Sequence, residues 1–236
     1  TIISFLKYLF GDKPVVLGLS GGLDSSVVAY LATKALGADK IHAIISPSET
    51  NVRQDLELAQ RIVSIFNIQY SIFNIDAIVD NFQTTTNNLY ASKQSIGNLK
   101  ARIRMYLLYG KANELGGLVL GTGNKTELMI GYFTKYGDGG VDLLPIGDLY
   151  KTEERELAKY LGVPQEIIDR APTAGLWDDQ TDEDEMGITY EVLDQILMAI
   201  EDNKNLEEFN QSDVKKVKHM MKHAEHKNST PPICKV

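Results

Sequence analysis

Short apolar runs alternate with amphipathic segments along the first two thirds of the chain. Runs rich in β-branched residues predict strands at residues 14–19, 40–46, 69–75 and 118–121. Apolar positions at helical spacing predict helices over residues 1–10, 24–36, 51–66, 99–115 and 152–161, and from about Asn124. This alternation is typical of βαβ units, so we expect an α/β fold, a doubly wound parallel sheet with flanking helices.

Two regions depart from this alternation. Residues 76–96 are mostly polar, and the run Thr84–Asn88 is predicted to form a loop. Residues 178–185 are strongly acidic and are interpreted as a solvated loop, followed by two C-terminal helices and a short tail. Because neither region separates two hydrophobic units, we expect a single domain over residues 1–236.

The composition narrows the classes of function. The chain has 236 residues, 43% of them hydrophobic, which is enough for a sizeable core. No segment approaches the ~20 apolar residues of a membrane-spanning helix. A net charge of −8 argues against binding to duplex nucleic acid. The single cysteine, Cys234, and the lack of a recognisable leader predict a reducing, cytoplasmic location.

The strongest local signal is Ser-Gly-Gly-Leu-Asp-Ser-Ser at residues 20–26, between the first predicted strand and helix. Ligands bind at the carboxyl ends of parallel strands, glycines allow close approach of an anion, and a helix N-terminus attracts it. This segment therefore predicts a phosphate-binding loop. Asp24 would repel phosphate unless a cation lay between them, which indicates Mg²⁺; capping of the helix is the alternative role for Asp24.

Other interpretations of this loop compete with phosphate binding. A Walker A loop requires a lysine that is absent here, and the G-x-G-x-x-G pattern of dinucleotide-binding folds is also absent. Residues 18–22 match the G-x-S-x-G elbow of hydrolases, but that elbow usually follows several strands and a separate oxyanion segment is missing. A purely structural glycine turn is a further alternative.

Residues 20–26 resemble the pyrophosphate loop of the ATP pyrophosphatases, whose members cleave ATP between the α and β phosphates and share an adenine nucleotide alpha-hydrolase-like fold. Four further segments narrow the resemblance to the ammonia-dependent NAD synthetases: residues 97–102, 121–127, 133–142 and 225–227. The resemblance implies a ligase that adenylates the nicotinate carboxylate of deamido-NAD with ATP and releases pyrophosphate. Ammonia then gives NAD⁺ and AMP.

The resemblance also implies which residues bind each substrate. ATP would contact Gly18, Leu19, Ser20, Gly21, Gly22, Leu23, Asp24, Ser25, Thr122, Lys151 and Thr173. Asp24 and Glu127 would hold Mg²⁺. Deamido-NAD would contact Arg102, Lys135, Asp142, His226 and Lys227, and the loop at residues 133–142 would point Lys135 and Asp142 into the site. Asp24 and Lys151 would be catalytic, and Asp138 would assist ammonia.

Two segments resemble loops that close over substrates in this family, residues 46–53 and 171–187. The first departs from the sequence usual in bacterial members, so its adenine contacts are unassigned, with Arg53 as a candidate. Members of the family are homodimers whose interface helps to form the deamido-NAD site. The resemblance therefore implies a homodimer.

Three histidines near the C-terminus, His219, His223 and His226, share one predicted helix face and could chelate zinc. Because no acidic or cysteine partner is obvious beyond Glu225, we favour a solvated face with His226 at the substrate. A glutaminase would need a reactive cysteine, and Cys234 lies in the tail. Free ammonia is therefore the expected nitrogen donor.

Two other functions stay open at the level of sequence. The first is another ATP pyrophosphatase that acts on a different acid or amide. The second is a nucleotide-binding regulatory protein without turnover. The presence of both Asp24 and Glu127 argues against the second, because binding alone does not require two acids on a metal.

Overall fold

A parallel four-stranded sheet forms the centre of the fold. The computed structural model describes residues 1–50, 53–177 and 180–235. Its strands are β1 (Val15–Gly18), β2 (Ile41–Ile45), β3 (Gln69–Ile72) and β4 (Leu118–Leu120). Their order in the sheet is β3-β2-β1-β4, and every pairing is parallel. The predicted parallel α/β sheet is confirmed.

Helices connect and flank these strands. Before β4 they are α1 (Ile2–Phe10), α2 (Leu23–Leu36), α3 (Arg53–Phe66), α4 (Asp76–Thr85) and α5 (Lys93–Leu115). After β4 they are α6 (Lys125–Ile130), α7 (Lys151–Leu161), α8 (Gln165–Ile168), α9 (Asp182–Met186), α10 (Tyr190–Glu201) and α11 (Gln211–Asn228). None of these described helices is long and apolar enough to cross a membrane.

Two hydrophobic clusters cover the two faces of the sheet. Val15 and Leu17 of β1 belong to the cluster formed with α1, α2, α3 and α7. Val16 lies between them and packs in the opposite cluster with Met105 and Leu108 of α5. A strand buried on both sides has a continuous apolar sequence, which explains why it could be predicted.

The C-terminal helices form a further cluster around Tyr190 and Leu193 of α10. A buried carboxylate joins this cluster to the sheet region. Asp194 accepts hydrogen bonds from Thr126 Oγ1 (2.5 Å) and from the backbone N–H of Thr152 (2.8 Å). These bonds fix α10 against the N-termini of α6 and α7, two helices that carry predicted site residues.

Three local predictions were wrong or incomplete. The polar stretch after β3 contains helix α4, and α5 begins at Lys93 rather than Leu99. The acidic run is not a solvated loop throughout, because Asp182 is buried and begins α9. Residues 51–52, at the start of the predicted third helix, and residues 178–179, in the acidic run, lie outside the described part of the chain.

The order of the strands determines where a ligand can bind. β2, the strand that follows β1 in the chain, pairs with one edge of β1. β4 pairs with the opposite edge of β1. Such a change of direction opens a crevice beyond the carboxyl ends of the two strands. The loops that follow Gly18 and Leu120 therefore meet at one place.

A substitution at Gly121, directly after β4, tests how closely the loop after β4 packs against residues 141–144. An ideal Cβ built on Gly121 would lie 2.5 Å from Val141 Cγ2 and 2.7 Å from Leu144 Cδ2. We expect Gly121→Ala to lower the free energy of unfolding by about 1–3 kcal/mol, as overpacked sites do, measured by urea denaturation. Gly110→Ala in α5 is the control. It meets no neighbour within 4 Å, so we expect a gain of about 0.5–1 kcal/mol. Equal effects of the two substitutions would contradict the prediction.

Candidate active site

A cavity of about 460 Å³ lies beyond the carboxyl ends of β1 and β4. Most of the predicted ATP and metal residues line it. They are Gly18, Leu19, Ser20, Gly22, Leu23, Asp24, Ser25, Thr122, Glu127, Lys151 and Thr173. Asp138 and Lys227 line the same cavity. Residues that are far apart in the sequence are thus gathered at the crevice that the strand order creates.

The Ser20–Ser26 loop is held in shape by its own hydrogen bonds. The hydroxyls of Ser20 and Ser25 lie 3.1 Å apart, and the backbone N–H of Ser20 donates to Ser25 Oγ (3.2 Å). The Ser26 hydroxyl donates to the carbonyl of Gly22 (2.8 Å), the residue that precedes α2. The loop therefore leads directly into the N-terminus of a helix, where anions are favoured.

Gly21 is the one position in this loop that requires glycine. Its φ is +84°, in the region that residues with a Cβ rarely adopt. A Cβ here would also lie 2.3 Å from the backbone carbonyl oxygen of Asp55, in the first turn of α3. The turn of the loop is therefore pressed against the backbone of the neighbouring helix.

A buried lysine joins this loop to the start of α7. Lys151 is 1% exposed, and its Nζ lies 2.5 Å from Asp24 Oδ2 and 3.6 Å from Glu154 Oε2. Glu154 is fully buried, and within the described part of the chain nothing donates to its Oε1. An ammonium and two carboxyl groups thus share one small region at the wall of the cavity.

Asn124 organises the two predicted metal ligands. Its side-chain carbonyl accepts from the backbone N–H of Glu127 (3.0 Å), and Glu127 Oε2 accepts from the backbone N–H of Asn124 (3.1 Å). This reciprocal capping begins α6. The side-chain amide of Asn124 also donates to Asp24 (2.7 Å). One residue therefore caps the helix that carries Glu127 and positions Asp24.

The acids of this region differ in their proton affinity. Burial alone would raise the pKa of the Asp24 carboxyl, but the Lys151 ammonium and hydrogen bonds lower it below its ordinary value. Desolvation and the Asp24 charge raise the pKa of both Glu127 and Glu154 well above the ordinary value. For Lys151, the surrounding carboxylates outweigh burial and raise the pKa. Asp24 is therefore the carboxyl that holds its charge most readily here, and the surroundings of Glu127 and Glu154 favour the protonated form.

The hydrogen bonding of Glu154 agrees with this direction. Burial is the largest cause of its raised pKa, and the Asp24 charge adds to it. A protonated carboxyl needs fewer donors than a carboxylate, which fits a buried Oε1 that has no hydrogen-bond partner among the described residues. The neighbouring Glu153 has a different role, because it caps α7 by accepting from the backbone N–H of Tyr150 (3.0 Å).

Asp138 and Lys227 belong to the opposite wall of the cavity. Asp138 accepts from the backbone N–H of Thr134 (3.0 Å), and its enclosing surroundings raise the pKa of its carboxyl although the side chain is open to the cavity. Lys227 of α11 donates to the carbonyls of Gly131 and Phe133, both at 2.6 Å. Burial lowers the pKa of Lys227. The C-terminal helix thus reaches the cavity through this lysine.

Four predicted ligands of deamido-NAD point elsewhere. In the described structure, Arg102 donates to the backbone carbonyl of Lys135 (3.3 Å), and Lys135 donates to the backbone carbonyl of His226. Asp142 accepts from the backbone N–H of Val119 in β4 (2.8 Å). None of these four side chains lines the cavity here. Arg102, Lys135 and His226 are linked in sequence from α5 to α11, whereas Asp142 is held separately by β4 and by Tyr109 of α5.

Two cavity-lining segments, residues 46–50 and 171–177, are fastened to each other. Thr50 Oγ1 donates to the carbonyl of Gly175 (3.1 Å) and accepts from Lys100 Nζ (3.2 Å). Arg104 donates to the carbonyl of Ser46 (3.0 Å), and burial lowers the pKa of its guanidinium to about 10. Lys100 and Arg104 were not predicted, although Lys100 lies in the motif at residues 97–102 and Arg104 follows it by two residues.

The donor set fits a divalent cation at one place. Asp24 and Glu127 line the cavity. Burial and, after it, the Asp24 charge raise the pKa of Glu127, and a cation between the two carboxylates would relieve this repulsion. In the described residues no three His, Cys, Asp or Glu side chains are grouped to hold a metal ion by themselves. A metal here would therefore need ligand atoms from a substrate, which is usual for Mg²⁺.

The chain is similar to known proteins over nearly its whole length. A family model described as NAD synthase matches residues 6–231. The NH(3)-dependent NAD(+) synthetase of Archaeoglobus fulgidus is 50% identical over 228 residues, covering 96% of this chain and 90% of that protein. Among solved structures, NMN synthetase from Francisella tularensis has a TM-score of 0.90 and 36% identity, covering 100% of this chain and 96% of that chain. NH3-dependent NAD synthetase from Campylobacter jejuni has a TM-score of 0.85 and 34% identity, covering 99% and 96%.

Glu154 predicts a particular dependence of stability on pH. Because its pKa is raised on folding, the stability that its protonated carboxyl contributes is complete below the unfolded value of about 4.3 and is lost as pH rises through the folded-state pKa. We therefore expect Glu154→Gln to gain thermal stability relative to the parent protein as pH rises from about 4 to about 9.

Thermal unfolding followed by circular dichroism across this range measures the effect. Glu156→Gln is the matched control, since Glu156 is an exposed residue of the same helix and pairs with Lys159. A difference in Tm between Glu154→Gln and the parent that stays constant with pH would show that Glu154 is ionised in the folded protein.

Proposed function

Because the chain belongs to the NAD synthase family and makes NAD with ammonia, we propose that the cavity at β1 and β4 binds ATP and deamido-NAD. There the AMP part of ATP is transferred to the nicotinate carboxylate. The chain is a ligase that forms a carbon–nitrogen bond. The observation that carries the assignment of the site is the position of Lys151, buried between Asp24 and Glu154 at the edge of a lysine-free phosphate loop. The buried position of this cation supports the proposal, in which Lys151 would contact the α-phosphate of ATP.

We propose that Asp24 and Glu127 hold Mg²⁺ together with phosphate oxygens of ATP. Two carboxylates and a polyphosphate are a typical donor set for this ion. When bound, the ion would neutralise charge on the departing pyrophosphate. Asn124 would keep Asp24 in place, because its amide donates to that carboxylate.

The first step activates the nicotinate carboxylate, a poor acyl donor because its leaving group would be oxide. This carboxylate attacks the α-phosphorus of ATP, the bond to the bridging oxygen breaks, and pyrophosphate leaves. Ser20, Ser25 and the N-terminus of α2 bind the pyrophosphate, and Lys151 stabilises negative charge at the α-phosphate. Positioning and charge neutralisation supply the catalysis, and no side chain forms a covalent bond.

In the second step ammonia attacks the carbonyl carbon of the acyl adenylate, and AMP leaves with the electrons of the broken C–O bond. The attack requires NH₃ rather than NH₄⁺, so a proton acceptor at the cavity would help. Asp138 is suited to this role because its raised carboxyl pKa makes it a stronger base than an ordinary aspartate. The fastened segments 46–50 and 171–177 would keep water from the adenylate.

Lys227 is the described cavity residue best placed to bind deamido-NAD from the C-terminal side. Arg102, Lys135, Asp142 and His226 would then act at the edge of the cavity. We propose that the contacts among them open towards the dinucleotide when it binds. Thr122 and Thr173 line the cavity near ATP and would contact it through their hydroxyls.

A second substrate deserves a direct test. A solved structure that covers 100% of this chain with a TM-score of 0.90 is of an NMN synthetase. Its product differs from NAD by the absence of the adenylate half, so the corresponding acid is nicotinate mononucleotide. The reacting carboxylate is the same in both acids, and the catalytic residues above would serve either.

The proposed reaction is tested by incubating the protein with ATP, Mg²⁺, an ammonium salt and either deamido-NAD or nicotinate mononucleotide. We expect NAD⁺, AMP and pyrophosphate, with a higher kcat/KM for the dinucleotide, measured by chromatography. Release of ADP would contradict the adenylation mechanism. A higher kcat/KM for nicotinate mononucleotide would instead support the second substrate.

Asp24→Ala removes the carboxylate shared by Lys151, Asn124 and the proposed metal. We expect kcat to fall by about a hundredfold or more, as when a group that stabilises the transition state is lost. Steady-state rates with saturating Mg²⁺ measure this, and Asp148→Ala is the control because Asp148 pairs with Lys125 at the surface. Near-normal activity of Asp24→Ala would refute the assigned role.

We also propose a homodimer that uses the β3 edge of the sheet. β3 is an edge strand, and the segment from it through α4 and the turn after α4 exposes six large apolar side chains. They are Tyr70, Ile72, Phe73, Ile78, Phe82 and Leu89. An exposed edge strand with an apolar face is well suited to pair with a second copy.

The dimer is tested by light scattering after gel filtration. We expect a dimer for the parent and a monomer for the double variant Ile78→Glu, Phe82→Glu, because two charges would be buried in the interface. Tyr160→Glu on α7 is the control, since this side chain is 87% exposed and its helix packs in another cluster. A monomeric parent, or a double variant that still dimerises, would contradict the proposal.

A further inference from the structure

An ion pair between Arg170 and Asp55 lies at the wall of the cavity, outside the residues assigned above. Arg170 follows α8, and Asp55 is in the first turn of α3. The Nη2 of Arg170 binds Oδ1 of Asp55, and the two side chains are 22% and 14% exposed. Both residues line the cavity together with Ser20 and Thr173. The pair is therefore accessible from the space that ATP would occupy.

The phosphate loop lies directly against this pair. The backbone carbonyl of Asp55 is so close to Gly21 that a Cβ there would meet it at 2.3 Å. Thr173, whose hydroxyl accepts from the backbone N–H of Gly175 (3.1 Å), lies three residues after Arg170 and also lines the cavity. The guanidinium is thus placed between two segments that would contact the polyphosphate.

The charges of the site call for a further cation. The segment Ser20–Ser26 contains no basic residue, although a polyphosphate carries several negative charges. Lys151 is already shared by Asp24 and Glu154. A guanidinium presents a planar fork of donors that matches the oxygens of a phosphate as well as those of a carboxylate. Arg170 has this geometry at a cavity-facing position.

We propose that Arg170 is an additional ATP-binding residue that contacts the part of the polyphosphate released as pyrophosphate. This inference rests on the proposed function, since it assumes that the Ser20–Ser26 loop binds that polyphosphate. The carboxylate of Asp55 is the partner that the guanidinium holds in this structure. A phosphate reaching Arg170 takes the place of this carboxylate or shares the five donors of the fork with it.

Arg170 could bind phosphate directly, or its ion pair with Asp55 could serve only to hold α3 against the segment after α8, and substitutions separate these two roles. If Arg170 contacts phosphate, Arg170→Ala weakens binding of pyrophosphate and ATP and leaves that of AMP nearly unchanged. Asp55→Asn keeps the positive charge and removes a neighbouring negative one, so it retains or strengthens pyrophosphate binding. If the ion pair only fastens α3 to the segment after α8, both substitutions weaken all three ligands alike.

Isothermal titration calorimetry of the full chain with Mg²⁺ and pyrophosphate, ATP or AMP tests this. We expect Arg170→Ala to bind pyrophosphate about ten- to a hundredfold more weakly, the usual range for a lost hydrogen bond to a charged group, and Arg170→Lys to recover part of the loss. The KM for ATP should rise more than the KM for deamido-NAD. Arg155→Ala is the control, because Arg155 pairs with Glu191 elsewhere on the surface.

The possible results distinguish a failure of the proposed function from a failure of the role assigned to Arg170. Parent protein that binds neither pyrophosphate nor ATP overturns the proposed function, and this proposal with it. Parent protein that binds both, with equal affinities in Arg170→Ala, overturns only the role of Arg170. Equal losses in Arg170→Ala and Asp55→Asn also overturn it, in favour of a structural ion pair. Thermal unfolding of each variant confirms that the affinities are those of folded protein.

Discussion

The site depends on the neutralisation of one buried ammonium. A lysine with 1% of its surface exposed has lost its hydration and must have anionic partners where it lies. Asp24 meets this need from the start of α2, and the buried carboxyl of Glu154 lies 3.6 Å from the ammonium on the same helix as Lys151. The first strand–helix connection and the start of α7 are consequently held together by charge. The hydrogen bonds of Asn124 bring α6 into the same arrangement.

The sequence predicted the sheet well because its strands are covered on both sides. Continuous apolar runs such as Val15–Gly18 have few other interpretations in a chain that also shows helical periodicity. Helix α4 was missed for the opposite reason. Val79 is its one buried residue, and its apolar residues Ile78 and Phe82 are exposed, so its sequence stands in a polar stretch and lacks the pattern of a core-facing helix. Burial decided which elements could be recognised.

The candidate site was predictable only where its residues are close in sequence. The Ser20–Ser26 loop combines glycines, hydroxyls and a helix start within one segment, and each has a local physical reason. By contrast, Asp24 and Lys151 are separated by 127 positions. Asp55 lies in α3, and its partner Arg170 follows α8. Spacing in sequence carries no information about such pairs. Only the resemblance to a family pointed to Lys151, and nothing pointed to Glu154 as a buried acid.

The rigidity of the Ser20–Ser26 turn has a thermodynamic consequence. Gly21 is pressed against the carbonyl of Asp55, and the serine hydroxyls already bond within the loop. Little conformational entropy is left to lose when a nucleotide docks there. The binding energy of the β and γ phosphates is therefore available to orient the α-phosphorus that reacts. Contacts with the part of ATP that does not react can in this way raise kcat.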